Sequence, residues 1–166
     1  MPVQETQIKH SDSLSSDSQI SYVPPKDIGL IWKQIEPLLL KPLKIDGFAY
    51  MPKDIFDSIV KQKMQLWISW NVKTNVVEAA IVTEIVDYPQ LRSCRYFLAG
   101  GTNMKVWFNP MKEQIEQWAK QNKCQRIELV GRKGWVKWLK DYKQKHIILM
   151  KELKKQVLQN LSSKEK

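Results

Sequence analysis

Residues 66–101 read LWISWNVKTNVVEAAIVTEIVDYPQLRSCRYFLAGG. β-branched and aromatic residues dominate this stretch, and turn signals divide it. Leu66–Trp70 and Val76–Tyr88 read as two strands, joined as a hairpin by Lys73-Thr74-Asn75. Pro89-Gln90 turns the chain again, and Arg92–Ala99 makes a third antiparallel strand that Gly100-Gly101 breaks. Three strands joined by hairpins form a meander.

Outward from this meander the period changes to helical. Downstream, Asn109-Pro110 has the form of an N-cap and a first-turn proline. Met111, Ile115, Trp118 and Ala119 then share one face of a helix running to about Lys123. Arg126–Val130 is a short apolar strand, and the intervening helix is long enough for a parallel crossover. Gly131-Arg132-Lys133-Gly134 turns into a helix with Trp135, Trp138, Leu139 and Tyr142 on its apolar face, and His146–Leu153 reads as a final strand. Upstream, Ile28, Ile31, Trp32, Ile35, Leu38 and Leu39 line a helix that Pro37 and Pro42 should kink or split. A second helix starts near Pro52 and aligns Ile55, Phe56, Ile59 and Val60. The expected architecture is an α/β (α+β) domain of three layers. A mixed sheet opens with an antiparallel meander and carries helices on both faces.

Residues 1–20 are rich in Ser, Asp and Gln and read as a disordered arm. Residues 21–153 form the domain, and 154–166 a basic tail. Among 166 residues, 27 Lys and Arg against 17 Asp and Glu give a net charge of +10, concentrated in the last quarter of the chain. Such a face suits phosphate-bearing partners, or simply keeps the chain soluble. Two cysteines and two histidines are too few for a disulfide framework, a structural zinc site or a His-rich centre, so no metal is expected. No apolar run approaches the ~20 residues of a membrane span. No signal peptide is evident, so a cytoplasmic chain is expected.

The element order resembles the acyl-CoA N-acyltransferase superfamily, the GNAT fold, over about residues 21–153. Locally, Cys124–Trp135 (CQRIELVGRKGW), preceded by Gln117-Trp118-Ala119-Lys120, is similar to GNAT-like proteins of tailed bacteriophages, some of them internal virion proteins. That phage similarity implies a virion as the alternative location. The resemblance to the superfamily implies acetyl-CoA as cofactor and an amine as acceptor. It also implies a pyrophosphate seat where the third meander strand gives way to a helix, because glycines admit the phosphates and a helix N-terminus offers free N–H groups. Gly100, Gly101, Asn109, Met111 and Lys112 fill that place. Here the helix is expected about eight residues after the glycines, a wider spacing than the family's Gln/Arg-x-x-Gly-x-Gly/Ala motif, with Trp107 in the loop between. The resemblance further calls for an acid toward the departing thiolate. The position aligned by the turn holds Trp138 or Leu139, which leaves Tyr142, one turn on, as the substitute.

Glu84 has two readings. Between Thr83 and Ile85 in an apolar run it is a carboxylate of raised pKa suited to act as base, or else an outward-facing strand residue. Tyr142 is equally readable as an aromatic at the core edge. Lys133, Lys137 and Lys140 at i, i+4 and i+7, with Arg132, put cations on one helix face that suits a nucleic-acid backbone. Two functions therefore stand side by side. One is an acyl-CoA-dependent N-acetyltransferase. The other is a non-catalytic phage protein that binds DNA or a virion protein through its basic C-terminal face. Fold alone does not choose between them.

Overall fold

The computed structural model describes residues 17–153. The described residues divide into two compact units, the first ending at Val130 and the second beginning at Gly131.

The first unit is built on a five-stranded sheet. Its strands are β1 (Ser18–Val23), β2 (Met64–Asn71), β3 (Val76–Asp87), β4 (Arg92–Gly101) and β5 (Arg126–Leu129), and they lie in sequence order. The first four pair antiparallel, and β5 pairs parallel with β4. The meander and the parallel crossover are thus as expected. β1 is not: Ser18–Ile20 fall in the stretch read as an arm. SQISYV carries no clean alternation, so its strand form depends on β2, which it pairs from Ser18↔Asn71 to Val23↔Leu66. Trp70 Nε1 donates to Ser21 Oγ at 2.9 Å, and the Tyr22 ring meets Trp67 edge-on at 5.2 Å. Residues 1–16 and 154–166, which hold the rest of the arm and the basic tail, lie outside the described residues.

Helices α1 (Ile28–Ile45) and α2 (Pro52–Val60) cover one face, and α3 (Met104–Gln121) covers the other. Ile28, Ile35, Leu39 and Leu43 of α1 pack with Ile55 and Ile59 of α2 onto Leu66, Ile68, Ala80, Val82 and Leu98. On the opposite face Trp67 meets Trp118 of α3 edge-on at 5.5 Å. There Trp67 Nε1 donates to Thr83 Oγ1, whose own hydroxyl donates to Gln65 Oε1, both at 3.0 Å. α2 begins at Pro52 as expected, with the Asp54 carboxylate accepting the Met51 N–H at 2.8 Å.

Three expectations are corrected. α1 is not split at Pro37 or Pro42 but continues through both as one helix. An internal proline costs roughly 3 kcal/mol, but each fully buried Ile or Leu contributes about 1.5–3 kcal/mol, and four of them hold this helix to the sheet. α3 starts at Met104, five residues before the expected N-cap Asn109, so Pro110 is internal. Trp107 and Phe108, 3% and 1% exposed, anchor the extra turn.

The third correction concerns the second unit. Instead of an α-helix it has a short 3-10 turn over Lys133–Lys137, continued by Trp138 N and Leu139 N, which both donate to Trp135 O at 3.0 Å. Gly131 and Gly134 weaken a helix there, and like charges at Lys133 and Lys137 oppose one. Residues 146–153 form no strand, and Ile147, Ile148, Leu149 and Met150 are exposed. β-propensity does not make a strand without a partner edge.

Candidate functional site at the end of β4

Strands β4 and β5 pair only from Ser93↔Arg126 to Tyr96↔Leu129. β4 then runs on from Phe97 to Gly101, past the last residue of β5. Along this overhang only the β3 side is paired. A bulge marks its start. Val82 faces Leu98 and Thr83 faces Tyr96, so Phe97 is the extra residue. Bulges bend a strand and re-aim its side chains, and the Phe97 ring meets Tyr50, from the loop between α1 and α2, edge-on at 4.8 Å.

Two residues, Thr102 and Asn103, separate the overhang from α3. Three bonds fix this connection. Thr102 N donates to Glu78 O at 3.3 Å, Val106 N to Asn103 O at 2.8 Å, and Trp107 Nε1 to Thr102 O at 2.6 Å. Asn103 is left-handed (φ 54°), a conformation that Asn tolerates better than most residues. A Cβ at Gly100 would collide with the Leu38 carbonyl of α1, and one at Gly101 would sit 2.6 Å from Ala79 Cα. Pro42 has no N–H to bond the Leu38 carbonyl, four residues before it in α1. Glycine therefore lets α1 lie directly on the strand. The result is an unpaired strand edge leading within two residues into a helix N-terminus, where free N–H groups and the dipole favour anions. Lys105 is exposed in that first turn.

No family model and no curated protein matches the chain in sequence. Solved structures do match in fold. An aminoglycoside acetyltransferase, meta-AAC0020 from an uncultured soil metagenomic sample, superposes with a TM-score of 0.62 at 10% identity, over 83% of this chain and 97% of that one. A predicted acetyltransferase with acetyl-CoA from Clostridium acetobutylicum gives 0.57 at 17% identity, over 82% and 95%. Glucosamine-6-phosphate N-acetyltransferase from Arabidopsis thaliana gives 0.61 at 11% identity, over 81% and 97%. The fold is that of the GNAT acetyltransferases.

Within this GNAT fold the residues singled out from the sequence do not all converge. Gly100 and Gly101 lie at the junction of β4 and α3. Asn109 is the sixth residue of α3 and exposed, Met111 is fully buried, and Lys112 sits 3.9 Å from Glu116. These three are a turn or more past the helix start, because Trp107 and Phe108 extend the helix upstream of the proline. Glu84 pairs with Arg95, five residues before Gly100 along β4, or roughly 17 Å at strand rise. Its neighbours are thus the Arg95 guanidinium on one side and the buried Met64, its register partner on β2, on the other. Tyr142 is half-buried in the second unit, and its N–H donates to Leu139 O at 2.9 Å. Arg132, Lys133, Lys137 and Lys140, in the same unit, are exposed. A 3-10 turn has three residues per turn, so Lys133 and Lys137 do not align.

The sequence reading missed a charged cluster across β3, β4 and β5. Arg95 Nε donates to Glu128 Oε1 at 3.0 Å, Nη1 to Glu84 Oε1 at 3.1 Å, and Nη2 to the Tyr88 hydroxyl at 3.0 Å. Tyr88 donates in turn to Glu128 Oε1 at 2.8 Å, and Arg126 reaches Glu128 Oε2 at 3.1 Å. Partial burial pushes the Glu128 carboxyl up. The hydrogen bonds from Tyr88 and Arg95 and the charges of Arg95 and Arg126 outweigh it and hold the carboxyl below its ordinary value. The signal available in the sequence was register. Folding the hairpin about Pro89-Gln90 sets Arg95 opposite Glu84. Among the described residues no group of three metal-ligating side chains occurs, and no helix is long and apolar enough to cross a membrane.

Proposed function

We propose that this chain is an acyl-CoA-dependent N-acetyltransferase whose cofactor site is the β4 overhang and the N-terminus of α3. The observation that carries the reading is the two-residue step from an unpaired strand edge into a helix N-terminus. Acetyl-CoA offers three matching chemistries: amides along its pantetheine arm, a pyrophosphate, and an acetyl thioester for transfer to an amine. In this reading the free N–H and C=O groups of residues 97–101 take the amides as a strand edge takes another strand. The first amides of α3, with Lys105, take the pyrophosphate. Gly100 and Gly101 shape the junction, while Asn109, Met111 and Lys112 are left as helix residues. Of the two groups considered for proton transfer, Glu84 already has one oxygen engaged by Arg95. Tyr142, the acid the resemblance calls for, belongs to the second unit and is given no part in this site. The acceptor enters as its free amine.

Isothermal titration of the full chain with acetyl-CoA tests this. Saturable binding is expected, weakened by Lys105→Glu, and no binding at millimolar ligand would sink the reading. Exposure of Arg132, Lys133, Lys137 and Lys140 favours a second reading, a phage protein that binds DNA or a virion component. For DNA, affinity should fall steeply with salt. A flat response points to a protein partner, and mass spectrometry of purified particles tests residence in a virion.

A further inference from the structure

β5 is an unusual support for one side of a ligand slot. It has four residues, lies at the sheet edge and pairs in parallel, the less stable mode per residue. No residue of it is fully buried. Apolar burial therefore holds it weakly, yet its last paired step marks where the β4 overhang begins.

One step before that point stands the Arg95 cluster. Arg95 and Glu128 are register partners across β4 and β5, and Arg95 and Glu84 are partners across β4 and β3. The side chains of Arg95, Glu84 and Glu128 are 30%, 21% and 20% exposed, which shields their bonds in part from water. All three nitrogens of the guanidinium donate, to Glu128, Glu84 and the Tyr88 hydroxyl. Arg126 closes the cluster from β5, bonding the second Glu128 oxygen with its guanidinium carbon 5.1 Å from the Tyr88 ring centre. A planar fork spanning two carboxylates on different strands is a task for Arg and not for Lys, whose ammonium is a point donor on a flexible stem.

We propose that Arg95 is a positioning residue, the clasp that pins β5 to β4 one step before the last paired residues and thereby sets the edge of the acyl-CoA slot beyond it. The clasp rests on the acyltransferase reading for the identity of the ligand, but not for its effect on β5. Without it β5 detaches by local opening, and the overhang loses the fixed boundary against which a cofactor is held.

The test combines native-state hydrogen exchange with acetyl-CoA titration on the full chain. Arg95→Met should speed exchange at Ile127 and Leu129, whose N–H groups face β4 as that of Gln125 does, by about tenfold or more, while β2 amides stay unchanged, because truncating a shielded charge pair strands its partners. Acetyl-CoA affinity should fall by about tenfold, and Arg95→Lys should restore part of both. Tyr88→Phe, which removes only a hydroxyl, is the milder variant if Arg95→Met fails to fold, with a shift of about threefold expected in each readout. Lys53→Met, which breaks an exposed pair on α2, should change neither. Unchanged β5 exchange in the Arg95 and Tyr88 variants overturns the clasp. Faster exchange with unaltered acetyl-CoA affinity overturns its link to the slot. A wild-type chain that binds no acetyl-CoA removes the acyltransferase reading, and the exchange data then decide the clasp alone.

Discussion

Replacing Gly100 by Ala tests the close approach of α1 to β4. The added methyl would collide with the Leu38 carbonyl of α1, a backbone atom that cannot swing aside like a side chain tip. Relief requires α1 or β4 to move, yet α1 is fixed by fully buried Ile35, Leu39 and Leu43 on either side of the contact. Overpacking a close-packed core costs about 1–3 kcal/mol, and a backbone obstacle puts this site near the top, ~3 kcal/mol. At roughly 2–4 °C per kcal/mol for a domain of this size, the melting temperature should fall by about 6–12 °C. Gly29→Ala is the matched control. A methyl there meets nothing within 4 Å, and Gly29 lies in the first turn of α1. It should stabilise by about 0.4–1 kcal/mol through the unfolded chain. Urea denaturation followed by far-ultraviolet circular dichroism reads both variants. A Gly100→Ala midpoint within about 0.5 kcal/mol of wild type would refute the close approach of α1 to β4.

Other perturbations follow from single contacts. Thr83→Val strands both the Trp67 indole N–H and the Gln65 carbonyl in the core, and should cost roughly 2–4 kcal/mol in the same denaturation assay. Because the folded-state pKa of Glu128 is depressed, its stabilisation is present above the unfolded value of about 4.3 and is lost as pH falls through the folded value. Glu128→Gln should thus flatten the acid limb of a stability–pH curve below about pH 4, and an unchanged limb counts against the cluster. Burial, then the charge of Cys124, pushes the Cys94 thiol up to about 12. Native protein at pH 8 should therefore yield alkylation at the half-buried Cys124 alone, with Cys94 reacting only on unfolding; prompt labelling of Cys94 in peptide maps would contradict its burial.

How much of this was legible depended on whether a segment carries its own instructions. β2, β3 and β4 do, through dense β-branched runs and local turns, and α2 does through Pro52. β1 does not, since Ser18–Val23 becomes a strand by pairing with β2. The start of α3 was misplaced because Pro110 is a strong local signal for a first turn, while burial of Trp107 and Phe108 is a tertiary one and prevails. The last strand failed for the opposite reason. Ile147–Met150 has the propensity, but no described strand pairs with it. In the candidate site the glycines were visible and the Glu84–Arg95 pair follows from the hairpin, whereas Arg95 opposite Glu128 rests on a parallel register that no local pattern spells out.

The glycines also show why a motif is weaker than the geometry it stands for. A Gly pair between a strand and a helix invites a phosphate-binding reading, yet α1 lying on β4 demands Gly100 whether or not any phosphate binds. Gly101, at φ +142° and against Ala79, is demanded by the sheet in the same way. Substituting either residue lowers stability under every functional hypothesis and so discriminates among none. The overhang of β4 is different. Burial of Trp107 and Phe108 accounts for the early start of α3, but neither glycine contact involves the edge of β4 that β5 leaves unpaired over residues 97–101. Lys105, exposed in the first turn of α3, is the residue to alter. Its charge contributes little to the core, so Lys105→Glu should leave the denaturation midpoint within about 0.5 kcal/mol. An acetyl-CoA affinity that is measurable but indifferent to that substitution would place the pyrophosphate elsewhere.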